Sequence, residues 1–188
     1  RLMSGGRVTV PVIMRAPFGA TGRAAQHSQS LEAWFAHTPG LKVIMPATPY
    51  DARGLLRAAF KELNPVIFLE HKMLYGATSP GGTAASAVGE FAESMTPAPE
   101  AEYEVPLAVA DVKRAGKDLT IVATSLMVHR LLKIAEEWQT VHGISIEVVD
   151  PRTIYPLDMD TIHRSVAKTH RCLVVAEESS FAGVSAEI

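Results

Sequence analysis

Seven histidines provide this chain with its groups for proton exchange near neutral pH, and one of them, His27, has a setting suited to chemistry. It lies in Ala24-Ala25-Gln26-His27-Ser28-Gln29-Ser30, between the glycine-bearing loop at 18–23 and an amphipathic segment at 28–37. A buried strand is expected before the loop, over residues 8–16, and a helix after it. Strand, turn and helix start together place His27 at the carboxyl end of a strand. In open α/β sheets that edge receives ligands. An imidazole there can act as general acid or base. Read as a single residue, His27 could equally cap or fill the loop.

Other tempting constellations are weaker. The loop glycines match neither dinucleotide nor P-loop spacing, and no Gly-Lys-Ser/Thr follows. Gly183-Val184-Ser185-Ala186 resembles a nucleophile elbow but has Ala186 where that motif needs glycine. His163 and His170 stand in no zinc-ligand pattern. His129, His163 and His170 are expected to be solvated, His142 to complete a helix C-terminus, and His37 to be structural although able to approach the His27 edge. Asp150-Pro151-Arg152-Thr153-Ile154-Tyr155-Pro156-Leu157-Asp158 reads as a tight turn and an N-cap, with Arg152 paired to a carboxylate.

The elements that must position these residues form an α/β pattern. Val8 to Arg15 is continuously apolar, as in a strand covered on both faces. Strands are also expected at 42–46 and 65–69. A helix between them starts at Thr48-Pro49, with Asp51 in its first turn and Ala52, Leu55, Leu56, Ala59 and Leu63 on one stripe. This first block is β-α-β-α-β, appropriate to a parallel sheet. Periodicity then disappears over 76–104, an Ala/Ser/Gly/Pro-rich linker expected to be partly mobile. A second α/β unit follows. It has strands at 119–124, 144–149 and 172–176, a helix through Met127 and Trp138 ended by Gly143, and a helix started by Asp158 or Asp160. The fold class expected is therefore α/β, with two three-layer units of mostly parallel sheets.

Composition narrows the possibilities. A chain of 188 residues, 47% hydrophobic and with a net charge of -2, can bury a real core and offers no basic surface for nucleic acid or membranes. Residues 76–104 carry five acidic side chains and no Lys or Arg, so the linker separates two better balanced blocks. The single cysteine, Cys172, sits in an apolar run and is expected to be a reduced, buried thiol, favouring a reducing compartment. No run approaches the ~18 apolar residues of a membrane span. The first and last residues read as though cut from something longer.

Several collinear strings are similar to the β subunit of thiamine-diphosphate-dependent 2-oxo acid dehydrogenases. They include Ala25-Gln26-His27-Ser28-Gln29-Ser30-Leu31-Glu32-Ala33-Trp34, His37-Thr38-Pro39-Gly40-Leu41-Lys42-Val43 and Thr48-Pro49-Tyr50-Asp51-Ala52. Phe68-Leu69-Glu70-His71-Lys72-Met73-Leu74-Tyr75, the Asp150 to Asp158 string and Phe181-Ala182-Gly183-Val184-Ser185-Ala186-Glu187-Ile188 continue the match. The resemblance is nearest to the pyruvate and acetoin enzymes. It implies part of a transketolase-like pyrimidine-binding domain at 1–75, a linker at 76–104 and most of a transketolase C-terminal-type domain at 105–188.

The resemblance also implies an α2β2 enzyme. It would decarboxylate a 2-oxo acid with thiamine diphosphate and Mg2+, then pass the acyl group to lipoamide on a dihydrolipoyl acyltransferase. His27 matches the family histidine that lies in the active-site channel. K+ is held in some members by backbone carbonyls at positions matching Val12, Ala59, Glu62 and Asn64. The family's cofactor-activating glutamate and pyrimidine-packing aromatics lie upstream of this chain, and the diphosphate and Mg2+ site belongs to the α subunit. No residue here is assigned to the cofactor, and this stretch alone is expected to be inactive. The location implied is the cytoplasm, or the mitochondrial matrix in a eukaryote. Rival readings are another transketolase-like enzyme, such as deoxyxylulose-phosphate synthase, and a non-catalytic assembly or docking module.

Overall fold

The computed structural model describes residues 4–22, 24–75 and 91–188. Two four-stranded sheets carry the fold. In the first, β1 (Ile13–Phe18), β3 (Val66–His71) and β2 (Lys42–Ile44) run parallel in that spatial order. In the second, β6 (Ile146–Asp150), β5 (Leu119–Ala123) and β8 (Cys172–Val175) are parallel, with β4 (Asp111–Arg114) antiparallel at the outside of β6. The short strand β7 (Thr153–Tyr155) crosses over and pairs antiparallel with β2, so the second half of the chain supplies an edge to the first sheet.

Alternation along the strands explains the layers, because successive side chains point to opposite faces. Ile121, Ala123, Ile146 and Val148 pack against Met127, Val128, Leu131 and Ala135 of α3 (Leu126–His142). Val122 and Val149 face the other way, onto Ile162 of α4 (Met159–Thr169). In the first sheet Ile44, Val66 and Phe68 meet Leu55 and Ala59 of α2 (Pro49–Ala59). Val43, Ile67 and Leu69 face Phe35 of α1 (Glu32–Ala36) and Val184. Each unit is thus a helix–sheet–helix stack. The helix ends follow the sequence: Thr48 Oγ1 accepts the Asp51 N–H at 3.1 Å, a cap of about 1 kcal/mol. Asp158 caps α4, and Gly143, at φ +70°, ends α3 in the left-handed conformation.

The structure corrects several local expectations. The strand expected over 8–16 forms only from Ile13, as β1; Val8, Val10 and Val12 precede it and are exposed, as is Met14 within it, so the run is not covered on both faces. The helix expected over 28–37 shortens to α1, since Ala25–His27 form a separate 3-10 turn, and Trp34 is exposed. Cys172 is exposed, lying on the outer strand β8. His129 is buried rather than solvated: its Nε2 lies 2.7 Å from the Ala47 carbonyl and its Nδ1 2.7 Å from Ser94 Oγ, and burial lowers its pKa. Of the linker, residues 76–90 lie outside the described residues. The part from 91 to 104 runs against neighbouring elements. Phe91 and Met95 bury with Leu126, and Tyr103 stacks on Tyr50 with centroids 4.6 Å apart.

Candidate functional site

The carboxyl ends of β1 and β3 finish side by side, with Phe18 opposite His71. The loop leaving β1 turns at Gly19, whose φ of +112° and close approach to the His71 ring admit no side chain. Gly19 N–H donates to the Gln29 carbonyl at 3.0 Å, closing the loop on itself. Within it the 3-10 turn Ala25–His27 brings the His27 ring to the surface. The His27 carbonyl is held from two sides: Thr21 Oγ1 donates to it at 2.8 Å and Lys72 Nζ at 2.9 Å. The site therefore presents an exposed imidazole on a backbone pinned by β3's continuation. Such a ring can give or take a proton from a ligand lying over the sheet edge. His37, by contrast, caps α1 through its backbone and is exposed there.

Beside this loop runs a polar rim. Arg15 makes a bidentate pair with Glu70 across β1 and β3, at 2.6 and 3.1 Å, and Tyr75 OH donates to Glu70 at 3.3 Å. Glu70, His71, Tyr75, Thr48 and Met95 help line a cavity of about 180 Å3 beyond β2 and β3. On the other side Glu32, the first residue of α1, is buried to 4% exposure with Oε2 unpartnered. Burial pushes its carboxyl up to about 7, and the charges of Glu178 and Glu177 add to the rise. Glu178 accepts the Ser185 N–H at 2.8 Å through Oε1, while its Oε2 is also unpartnered. Sequence reasoning missed this group: Glu70-His71-Lys72 and Glu177-Glu178 directly follow the strands expected at 65–69 and 172–176 and drew no separate reading.

A second buried cluster joins the two units. Arg152 Nη1 donates to Asp51 Oδ1 at 3.3 Å, which bears out its expected pairing with a carboxylate. Lys113 Nζ lies 2.6 Å from Asp51 and 2.8 Å from Asp111. Burial alone would raise Asp51, but Lys113, Thr48 and Arg152 together hold it below the ordinary carboxylate range. Asp150, with 0% exposure, goes the other way: burial pushes it up to about 7 against the pull of Lys113. These charges fix where β7 departs toward β2.

Among the described residues no group of three or more His, Cys, Asp or Glu side chains is placed to hold a metal ion. Val12 lies just before β1, while Ala59 ends α2 and Glu62 and Asn64 follow it. Val12 O accepts the Val66 N–H at 2.8 Å and Ala59 O the Glu62 N–H at 3.1 Å, each keeping a second lone pair. The Glu62 carboxylate is itself occupied, with Lys42 Nζ at 2.6 Å and the Asn64 amide at 2.8 Å. No helix among the described residues is long and apolar enough to cross a membrane.

The fold is an α/β arrangement of two four-stranded sheets, joined by the pairing of β7 with β2 and by the contact of His71, at the end of β3, with Glu177, after β8. The chain belongs to the transketolase domain family: residues 1–78 match the transketolase pyrimidine-binding domain and residues 108–188 the transketolase C-terminal domain. More particularly, it is 46% identical over 189 aligned residues to the pyruvate dehydrogenase E1 component subunit beta of Bacillus subtilis (strain 168), covering 100% of this chain and 53% of that one. It is equally 46% identical over 189 residues to the acetoin:2,6-dichlorophenolindophenol oxidoreductase subunit beta of Cupriavidus necator, covering 100% of this chain and 51% of that one. The chain thus spans about half the length of the curated relatives it matches. A solved split-gene transketolase, described as an inactive beta4 tetramer, shares the fold with a TM-score of 0.70 at 21% identity, over 95% of this chain and 52% of that one.

Proposed function

We propose that these residues belong to the β subunit of a thiamine-diphosphate-dependent 2-oxo acid dehydrogenase of the pyruvate or acetoin type. The observation that carries this reading is the exposed His27 ring on a doubly anchored backbone at the carboxyl edge of β1 and β3. Identity across the whole chain to both kinds of β subunit supports the same class. The protein works as an α2β2 assembly in the cytoplasm or, in a eukaryote, the mitochondrial matrix. The α subunit holds most of the thiamine diphosphate and its Mg2+, and a second β subunit completes the assembly.

Thiamine diphosphate, when bound, supplies the carbon nucleophile and accepts the electron pair released with CO2. This chain's contribution is proton handling: a His27 ring nitrogen gives or takes the proton that moves as the acyl group leaves for lipoamide on the acyltransferase. Pinning the His27 carbonyl limits how far that ring can wander. The carbonyls of Val12, Ala59, Glu62 and Asn64 suit K+, which accepts uncharged oxygen ligands. Ala59 is the last residue of α2, where the helix dipole favours a cation. Residues 1–75 act as part of the pyrimidine-binding domain, 76–104 as the linker and 105–188 as the C-terminal-type domain.

The test uses the full-length protein assembled with its α subunit. His27→Ala is expected to keep the assembly intact and to lower lipoamide acylation by about 100-fold or more. Unchanged acylation would refute the catalytic reading and favour an assembly module. Isolated residues 1–188 are expected neither to decarboxylate pyruvate nor to bind thiamine diphosphate tightly.

A further inference from the structure

The loop that presents His27 rests on a buried ring. His71 is 1% exposed, and a Cβ built on Gly19 would fall 2.2 Å from its Nε2, so the backbone at Gly19 lies directly on the imidazole. Phe18 meets the same ring edge-on, with centroids 5.0 Å apart. His71 Nδ1 accepts the Met73 N–H at 3.2 Å. An accepting Nδ1 carries no proton, so the neutral ring holds its hydrogen on Nε2. Glu177 Oε2 stands 2.8 Å from that atom. The oxygen lies close to Nε2 but off the N–H line, because Nε2 has no hydrogen-bond partner of good geometry. His71 ends β3 in the first unit, whereas Glu177 follows β8 in the second.

Two routes lead from this pair to His27. One passes through Gly19, whose N–H donates to Gln29 two residues beyond His27. The other passes through Lys72, the residue after His71, whose ammonium holds the His27 carbonyl at 2.9 Å. We propose that His71 and Glu177 are positioning residues: the second unit's carboxylate seats the His71 ring, and the ring seats the loop that carries His27. This rests on the working role given to His27 above. The pair touches neither cofactor nor substrate in this scheme. Without Glu177 the ring loses the carboxylate that the second unit sets against it, and the loop seated on it shifts. A displacement of about 1 Å in a working group can cost on the order of 100-fold in rate.

The experiment uses the full-length protein assembled with its partner subunit. It compares Glu177→Ala, Glu177→Gln and His71→Asn with the parent. The activity-free readout is the rate at which diethyl pyrocarbonate labels His27, followed by peptide mass spectrometry. Glu177→Ala and His71→Asn are each expected to change that rate by about threefold or more, while the exposed His163 and His170 on and after α4 label as before. Glu177→Gln keeps an oxygen beside Nε2 and should return labelling to about the parent rate. In turnover, kcat for lipoamide acylation should fall about tenfold in Glu177→Ala with KM for the 2-oxo acid nearly unchanged, and recover in Glu177→Gln. His27 labelling unaltered in both Glu177→Ala and His71→Asn would overturn the positioning pair, whatever His27→Ala does. Full acylation by His27→Ala would instead overturn the catalytic role while leaving the labelling result to decide the pair.

Discussion

Replacing Glu32 by glutamine should stabilise this protein above neutral pH and leave it nearly unchanged in acid. Glu32 is 4% exposed, its Oε2 has no partner, and the unpartnered Oε2 of Glu178 belongs to the same coupled group. Its carboxyl is pushed from 4.5 to about 7 by burial, helped by Glu178 and Glu177. Between those two values the folded state binds a proton that the unfolded state has released, so stability falls as pH rises through the window. The full loss, reached above the folded pKa, is about 3 kcal/mol at 1.36 kcal/mol for each pH unit of displacement. An amide at position 32 has no charge to bury and offers an N–H toward Glu178. Urea unfolding followed by far-UV circular dichroism at several pH values from about 4 to 8.5 measures the effect. The parent and Glu32→Gln curves should meet near pH 4 and separate by about 2–3 kcal/mol by pH 8. A residual slope should persist in the variant, because Asp150 is raised to about 7 in the same sense. Parallel curves, or a variant less stable than the parent in alkali, would refute the reasoning.

Three further outcomes follow from the same geometry. Asp51→Asn should cost about 3 kcal/mol in urea unfolding at neutral pH, since it leaves the buried Lys113 and Arg152 without their shared carboxylate. Asp150→Asn should be neutral or stabilising at about pH 8, because Asn Oδ1 can still accept the Arg152 N–H that Asp150 accepts at 2.9 Å. Gly19→Ala should destabilise by about 2 kcal/mol or more, by strain at φ +112° and collision with the His71 ring, and should raise His27 labelling by diethyl pyrocarbonate.

Where local chemistry sufficed, the sequence was legible. Thr48-Pro49 with Asp51 announced α2, Gly143 announced the end of α3, and continuous apolar runs announced the parallel strands β2, β3, β5 and β6. His27 was singled out because a loop between strand and helix is a local pattern, and the structure does put it in the loop after β1, in an exposed 3-10 turn. What escaped was set by tertiary neighbours. His129 shares a helix with charged residues, yet its place in the first turn of α3 aims it at the Ala47 carbonyl, a contact 82 residues away in sequence. β4 was invisible because Asp111-Val112-Lys113-Arg114 is polar, its Lys113 being held by Asp51 and Asp111 and its Arg114 by the Ile146 carbonyl. Glu32 lies at a helix start, where a carboxylate is expected to be solvated, and tertiary neighbours including Val184, Ser185 and Glu178 bury it. The apolar pattern of residues 8–16 was read as a covered strand, but only Ile13 onward is strand and Val8, Val10, Val12 and Met14 are exposed, since an apolar run reports what a strand could bury and not what covers it.

The pairing of β7 with β2 has a consequence for biosynthesis. Val43 pairs with Tyr155, so the free edge of β2 waits for more than a hundred residues of later chain to be made. At roughly 5–20 residues per second, translation leaves that edge open for on the order of ten seconds. During that interval an emerging chain offers an unpaired ribbon to any other nascent strand, so crowded polysomes are where this protein is most vulnerable to mispairing.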